Sequence, residues 1–384
     1  MKRLLLIVVL VIVVAGLLLT FTKRPEPLDE SLESAGRLQN GPYAVSSFDV
    51  TLEDTTRPSQ PHGEFDGADS RTLKTRIWYP SDLLREGRPA SDPLPLLIYS
   101  HGFMSMRTGG AYMAEHMASK GYVVASMDYP LTNFDAPDEP YVVDVVNQPG
   151  DITFLLDQLM SWHSDAGNLF EGAIDESRIG LFGLSLGGMT TTMTAFHPRL
   201  HDPRVDAAVS IAGPSFTFTE RFYSQRRMPY MMIASEIDAL VDYKANALPT
   251  LQVPGAILVT VDGASHTGFA DMARFLRWMK NPDKIGCDQV KSNIESSNEE
   301  TWFDKIGSPD EGVEPREPPP LCEMNPLPKA MNPIRQHWIT QLAVASFFEG
   351  HFSNDASVRR DSLNFLTQTL PAEIAEVSVA INNN

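Results

Sequence analysis

Between residues 178 and 196 an apolar strand runs through Gly183-Leu184-Ser185-Leu186-Gly187 into a helix carrying Thr190, Thr191, Thr192 and Ala195. A strand that reverses into a helix over so few residues leaves no space for neighbouring side chains, and Gly183 and Gly187 supply that space. The serine at the centre of such a turn is forced into a strained backbone conformation, with its hydroxyl pushed out at the carboxyl edge of a sheet. The helix starting at Leu186 aims its free N–H groups and its dipole at the same spot, where they favour negative charge. Glycine and serine are common, and G-x-S-x-G also arises by chance in ordinary strand-turn-helix units. The apolar strand before it and the helical pattern after it argue against chance here. Ser185 is therefore the candidate nucleophile, and the chain around it is expected to alternate strands with helices.

That rhythm continues along the chain. Residues 44–53 and 72–79 alternate in the manner of strands, separated by Pro58, Pro61, Gly63 and Gly67, and predict an antiparallel pair opening the sheet. Short apolar strands are expected at 94–100, 122–127, 205–212, 230–234 and 257–261, with helices over 111–120 and 152–162. Strands apolar almost throughout predict an α/β fold, a mostly parallel sheet covered by helices on both faces and joined by right-handed crossovers. A helix is expected over 268–280, stopped by Asn281-Pro282. Residues 281–333 then break the pattern with Pro, Gly, Ser and Asn, as an irregular insertion that is either functional, for instance a lid, or disordered. Helices over 334–348 and 357–370 complete a domain running from 43 to 384, with no internal repeat.

Composition bounds the partners. The 384 residues carry a net charge of −18, and an acidic chain without a basic cluster argues against nucleic-acid binding. Met1-Lys2-Arg3 precedes an apolar run over residues 4–22, which reads as an export signal. The run spans about 28 Å as a helix, nearly a bilayer core, and Leu17-Leu18-Leu19 stands where a cleavage site needs small residues. Residues 1–24 are read as an uncleaved signal anchor, with the folded part on the periplasmic or extracellular side and 25–42 as a polar tether. Secretion after cleavage is the alternative, because Lys23 and Arg24 weaken the charge bias that sets orientation. Cys287 and Cys322 lie in one irregular region of an exported chain, where a disulfide is the simplest reading and two buried thiols the other. Neither has metal-site spacing, and neither a metal nor an organic cofactor is expected.

A serine hydroxyl near neutral pH needs a base within hydrogen-bond reach, and the base needs an orienting carboxylate. Following the strand 230–234, Asp238 sits just past the carboxyl end, with Glu236 and Asp242 as nearby rivals. Following the strand 257–261, His266 lies on a loop of small residues at the same edge. The order serine, acid, histidine is thereby met by Ser185, Asp238 and His266. Two backbone N–H groups must also face the developing oxyanion, and those of Leu186 and Phe103 are the candidates. Gly102 is expected to turn the backbone so that the Phe103 N–H faces the serine, while His101 precedes the nucleophile and is expected to brace the loop.

Taken together, Ser100-His101-Gly102-Phe103, Asp128-Tyr129-Pro130, Gly183 to Gly188, Ser235 to Asp238 and Gly263-Ala264-Ser265-His266 resemble the α/β-hydrolases. The similarity covers about residues 70–280 and is closest to the dienelactone-hydrolase, cutinase-like polyester-hydrolase and platelet-activating-factor-acetylhydrolase branches. It implies a serine hydrolase cleaving small-molecule or lipid carboxylic esters without a cofactor. Dienelactone hydrolases use a cysteine where this chain has Ser185. The plasma-type acetylhydrolases place the acid one strand earlier, where Ile211-Ala212-Gly213-Pro214 has no carboxylate, so the acid is expected at Asp238 as in cutinase-like enzymes. Those enzymes in turn generally lack an N-terminal anchor and an insertion like 281–333. Phe103, Met104, Met106, Met189, Leu240 and Phe269 flank the catalytic loops as an apolar acyl site, or simply pack the core. An amidase or peptidase of the same fold, and a non-catalytic hydrolase-fold binding module, are the competing functions. Oligomeric state is not readable from the sequence.

Overall fold

The structure, a computed structural model, describes residues 24–296 and 303–382. Among the described residues nine strands form one sheet in the order β1-β2-β4-β3-β5-β6-β7-β8-β9. β1 (Val45–Asp54) and β2 (Arg71–Pro80) are the expected antiparallel pair, and β2 also runs antiparallel to β4 (Val123–Met127). From β4 onward β3 (Leu94–Ser100), β5 (Ile174–Leu184), β6 (Ala207–Ile211), β7 (Tyr230–Ala234) and β8 (Ile257–Val261) are parallel. Every residue of β3, β4, β6 and β7 is buried, which is why these strands read as unbroken apolar runs. One face packs Leu97, Phe182 and Val209 against Phe347 and Phe348 of the helix Pro333–Phe352. The other packs Leu96, Ile98 and Leu181 against Ile152, Leu155, Leu156 and Leu159 of the helix Gln148–Ser164. The fold is the α/β-hydrolase arrangement that the sequence implies.

Four expectations need correction. The stretch 25–42 is not a loose tether. Its short helix Glu33–Arg37 buries Ser34 and Ala35, and Ser34 donates from N–H (2.8 Å) and Oγ (2.6 Å) to Glu373. Residues 268–280 form no helix but two 3-10 turns, Thr267–Phe269 and Asp271–Phe275. A ninth strand, β9 (Val377–Ile381), closes the sheet antiparallel to β8 and is missing from the sequence reading.

The insertion, finally, is ordered over its described part. It opens with the helix Asp283–Ser296, carries a Cys287–Cys322 disulfide, and is strapped across the loops that follow β6, β7 and β8. Glu314 N–H bonds Thr217 O (2.9 Å), Cys322 N–H bonds Ala239 O (2.7 Å) and Met331 N–H bonds Gly263 O (2.7 Å). Its own Ile306 and Val313 are buried, in one cluster with Phe218 and Phe222. Among the described residues no helix is long and apolar enough to cross a membrane, and the apolar run over 4–22 lies outside them.

Candidate active site

β5 ends at Leu184 and the helix Leu186–Phe196 begins two residues later, leaving Ser185 at φ 56°, ψ −123°. A positive φ at a residue with a Cβ is a costly conformation, held here because the turn is fixed on both sides. Ser185 N–H is bonded to Ile211 O of β6 at 2.8 Å, and its carbonyl accepts from Gly188 N–H at 2.8 Å. The flanking glycines are a matter of contact distance. A Cβ at Gly183 would stand 2.2 Å from Gly187 O, and one at Gly187 would stand 2.1 Å from Ser100 O.

The loop after β3 lies against this turn. His101 is fully buried, with Nδ1–H donating to Gly102 O at 2.8 Å and Nε2 accepting from Tyr129 N–H at 3.0 Å. One donor and one acceptor suit a neutral imidazole, and burial holds its pKa below the ordinary value. Gly102 has a different task from the one expected of it. Its φ is not in the left-handed region, which falls instead on Met104 (φ 57°), and what demands glycine is closeness, since a Cβ would come within 3.2 Å of both Leu184 O and Ser185 Cβ. Among the described residues neither the Phe103 N–H nor the Leu186 N–H meets an acceptor. Thr132 fixes the loop from behind, taking Met104 N–H on its carbonyl (2.9 Å) while its Oγ1 accepts from Gln148 Nε2 (2.8 Å).

β7 and β8 run parallel to β5, so the loops after them emerge at the same edge as Ser185. These two loops meet. Asp238 Oδ2 accepts from His266 Nδ1–H at 2.8 Å, both side chains being buried. Asp238 Oδ1 takes the N–H groups of Leu240 and Val241, each at 2.8 Å, which locks the carboxylate in one orientation. The rivals are otherwise employed. Asp242 caps the short helix Tyr243–Asn246 by accepting from Ala245 N–H (2.7 Å), and Glu236 is exposed. Burial opposes the His266 imidazolium, but the Asp238 charge and hydrogen bond, with Asp283 behind them, outweigh burial and raise the imidazole above its ordinary pKa. The Ser185 hydroxyl makes no hydrogen bond among the described residues. Of the candidates, then, the acid and the histidine are in direct contact, while the serine joins them through the shared sheet edge.

Asp283 is the residue that sequence reasoning missed. Fully buried at the start of the insertion helix, it accepts from Ala239 N–H (3.2 Å) and His266 N–H (3.0 Å) on Oδ2 and from Thr267 N–H (2.7 Å) on Oδ1. It thus clamps the acid loop to the histidine loop. Burial and then the neighbouring Asp238 charge raise its carboxyl above the ordinary range. Its sequence context, Asn281-Pro282-Asp283, signals only a helix boundary. We expect Asp283→Asn to turn an amide N–H₂ toward at least one of these donors and to destabilise the fold by about 1–3 kcal/mol. Loosening of the histidine loop should lower kcat/KM on esters by roughly 10²-fold. The acid limb of the pH profile should move down, because one of the charges raising the His266 pKa is lost. Thermal melts and pH-rate profiles check this, and an unmoved acid limb would reduce Asp283 to a structural clamp.

Of the apolar side chains flanking these loops, Met189 and Phe269 are buried in the core. Phe103, Met104, Met106 and Leu240 remain partly or well exposed around the turn. A serine on a strained turn, an imidazole held through Nδ1 by a carboxylate, and two unpaired N–H groups are the parts that acyl transfer to a serine requires.

A family model described as PET hydrolase-like matches residues 20–281. The chain is 26% identical over 250 residues to Cutinase 2 of Thermobifida cellulosilytica, covering 64% of this chain and 78% of that one. It is also 26% identical over 250 residues to Cutinase cut1 of Thermobifida fusca, there covering 64% of each chain. Among solved structures, a ferulic acid esterase from Streptomyces cinnamoneus superposes with a TM-score of 0.54 over 88% of this chain and 96% of that one, at 19% identity. That likeness is one of fold. Asp283 and the disulfide lie just beyond the residues the family model matches.

Proposed function

The chain belongs to the PET hydrolase-like family and is a carboxylic ester hydrolase, and on that premise we propose that it is an exported, membrane-anchored serine esterase working through Ser185, His266 and Asp238. The observation that carries this reading is the buried 2.8 Å contact between His266 Nδ1 and Asp238 Oδ2, at the sheet edge where Ser185 stands on its strained turn. In the proposed reaction Ser185 Oγ attacks the ester carbonyl carbon as His266 Nε2 takes its proton. The oxyanion is met by the N–H groups of Phe103 and Leu186. Collapse breaks the carbon–oxygen bond to the alcohol, which leaves with the proton from His266. Water, activated by the same imidazole, then releases the acid and restores the serine.

Esters with an apolar acyl or aryl part suit Phe103, Met104, Met106 and Leu240, in keeping with relatives named as cutinases. Export and anchoring are supported by the apolar run over 4–22 behind Lys2-Arg3 and by the disulfide. The test is labelling with a fluorophosphonate, mapping the adduct by mass spectrometry, and assay on p-nitrophenyl esters of increasing acyl length. An adduct on Ser185 with ester turnover is expected, and a folded protein with no adduct there would defeat the proposal.

The pH dependence has a definite sign. His266 must be neutral to act as base, and its pKa is raised above the ordinary histidine value of about 6.5. We expect kcat/KM on a neutral ester to be low in acid and to rise to half its plateau above that value. A midpoint well below it would mean that the imidazole does not feel Asp238 as the geometry requires.

A further inference from the structure

The chain carries 31 basic residues against 49 acidic ones, yet the stretch 272–291 reverses the sign. Directly after the His266 loop, residues 272–280 read Met-Ala-Arg-Phe-Leu-Arg-Trp-Met-Lys, three cations and no carboxylate. Instead of burying one side as a helix, this segment turns Met272, Phe275 and Trp278 outward at 56%, 60% and 59% exposure. With Phe134 they are the most exposed large apolar side chains among the described residues. The Arg274 guanidinium lies 4.9 Å from the centre of the Phe275 ring and 3.3 Å from Asp271.

Past Trp278 a groove of about 630 Å³ opens beside the Cys287–Cys322 bridge, with Lys280, Lys284 and Lys291 on its walls. Lys284 pairs with Asp288 at 3.0 Å, and Lys291 donates to Cys322 O at 3.3 Å. The other carboxylate of this stretch, Asp283, is buried in the site, so it does not oppose a negative surface from outside. Arg24, the first described residue, stands near enough that its charge, after burial, helps depress the Arg277 guanidinium. On the other side of Arg24 in the sequence is the apolar run over 4–22.

Exposed aromatic and methionine tips set among arginines and lysines are the composition that settles at a lipid–water interface. The same cations are drawn to anionic headgroups within about a Debye length, whereas the acidic remainder of the surface is repelled. We infer that residues 272–291 form a docking face for the anionic surface of a lipid bilayer. Met272, Phe275 and Trp278 enter the headgroup layer, and Lys280, Lys284 and Lys291 meet phosphates from the groove. The inference rests on the reading that residues 4–22 anchor the chain, since an anchor leaving beside Arg277 holds this face at the membrane. The face continues the 3-10 turn after His266, so docking brings the candidate site to the bilayer surface. Amphiphilic esters at that surface are then its substrates.

The full chain in vesicles tests this, using phosphatidylcholine alone or mixed with phosphatidylglycerol, both brominated along the acyl chain to quench tryptophan. Emission of the chain minus that of Trp278→Phe isolates Trp278. We expect Trp278 to be quenched in the phosphatidylglycerol vesicles. Quenching should be relieved by high salt and lost in the Arg274→Gln, Arg277→Gln, Lys280→Gln triple variant, whose turnover of p-nitrophenyl acetate in detergent is unchanged. A chain that withstands an alkaline carbonate wash but shows no Trp278 quenching overturns the docking face while the anchor stands. A chain that washes off, yet was quenched at Trp278 beforehand, upholds docking and removes the anchor. Protection of 272–280 from hydrogen exchange without lipid, together with dimers on sedimentation, would assign the face to a second copy of the chain and overturn the inference.

Discussion

Ser185→Ala is expected to lower kcat on p-nitrophenyl esters by on the order of 10⁶-fold, the loss that follows when the proposed nucleophile of a serine hydrolase is removed. The Phe103 and Leu186 N–H groups remain in the variant, so a residual rate of about 10³–10⁴ over the water reaction persists. Folding is retained, because the backbone bonds to Ile211 O and from Gly188 N–H that hold the turn do not involve the hydroxyl. A companion variant separates strain from chemistry. Ser185→Gly is expected to be equally inactive but more stable than Ser185→Ala by about 1–3 kcal/mol, since glycine adopts φ 56°, ψ −123° without a Cβ to crowd the backbone. Calorimetry of the two variants checks the order of their melting temperatures. If glycine gives no gain, the turn is not strained in the way its dihedral angles imply.

Asp238→Asn is expected to cost about 10⁴-fold in kcat while leaving the fold intact. The reason is in the two N–H groups on Oδ1. Leu240 and Val241 both donate there, so an asparagine at 238 keeps its carbonyl oxygen on them and turns its N–H₂ toward His266. Nδ1 must then accept, which moves the imidazole proton to Nε2, the nitrogen that has to take the proton from Ser185. Steady-state kinetics with pre-steady-state acylation would show both steps slowed. Glu236→Gln is the control, because Glu236 is exposed and its loss should leave kcat nearly unchanged. If the control is the more damaging of the two, the acid has been assigned to the wrong residue.

What could be read in advance follows the range of the interactions. Ser185 is legible because the features demanding it, two glycines and a strand-to-helix switch, lie within a few residues of it. Asp238 and His266 are legible because each follows a short apolar run, and runs of that kind end at one edge of a parallel sheet. Asp283 is not, since its three partners belong to two loops 16 to 44 residues away and its own neighbours spell only a helix start. Residues 268–280 mislead for another reason. Phe269, Met272, Leu276 and Met279 recur at helical spacing, but the segment has Met272 in solvent, and periodicity counts apolar residues without knowing which way they face. Polar composition likewise makes 25–42 look like a tether, because the carboxylate that receives Ser34 lies 339 residues further on.

That last contact and β9 bear on how the molecule is made. β8, which carries the histidine loop, gains its outer partner only from β9, synthesised after every other strand of the sheet. Ser34, near the opposite end of the described chain, likewise waits for Glu373. A chain emerging amino end first therefore spends about the last third of its synthesis with the edge of β8 open to pairing with other strands, and nearly all of it with its earliest helix undocked. On the proposed export, closure of the sheet waits until the carboxyl-terminal segment has crossed. Recovery of esterase activity is then the readout that the seam between its two ends has closed.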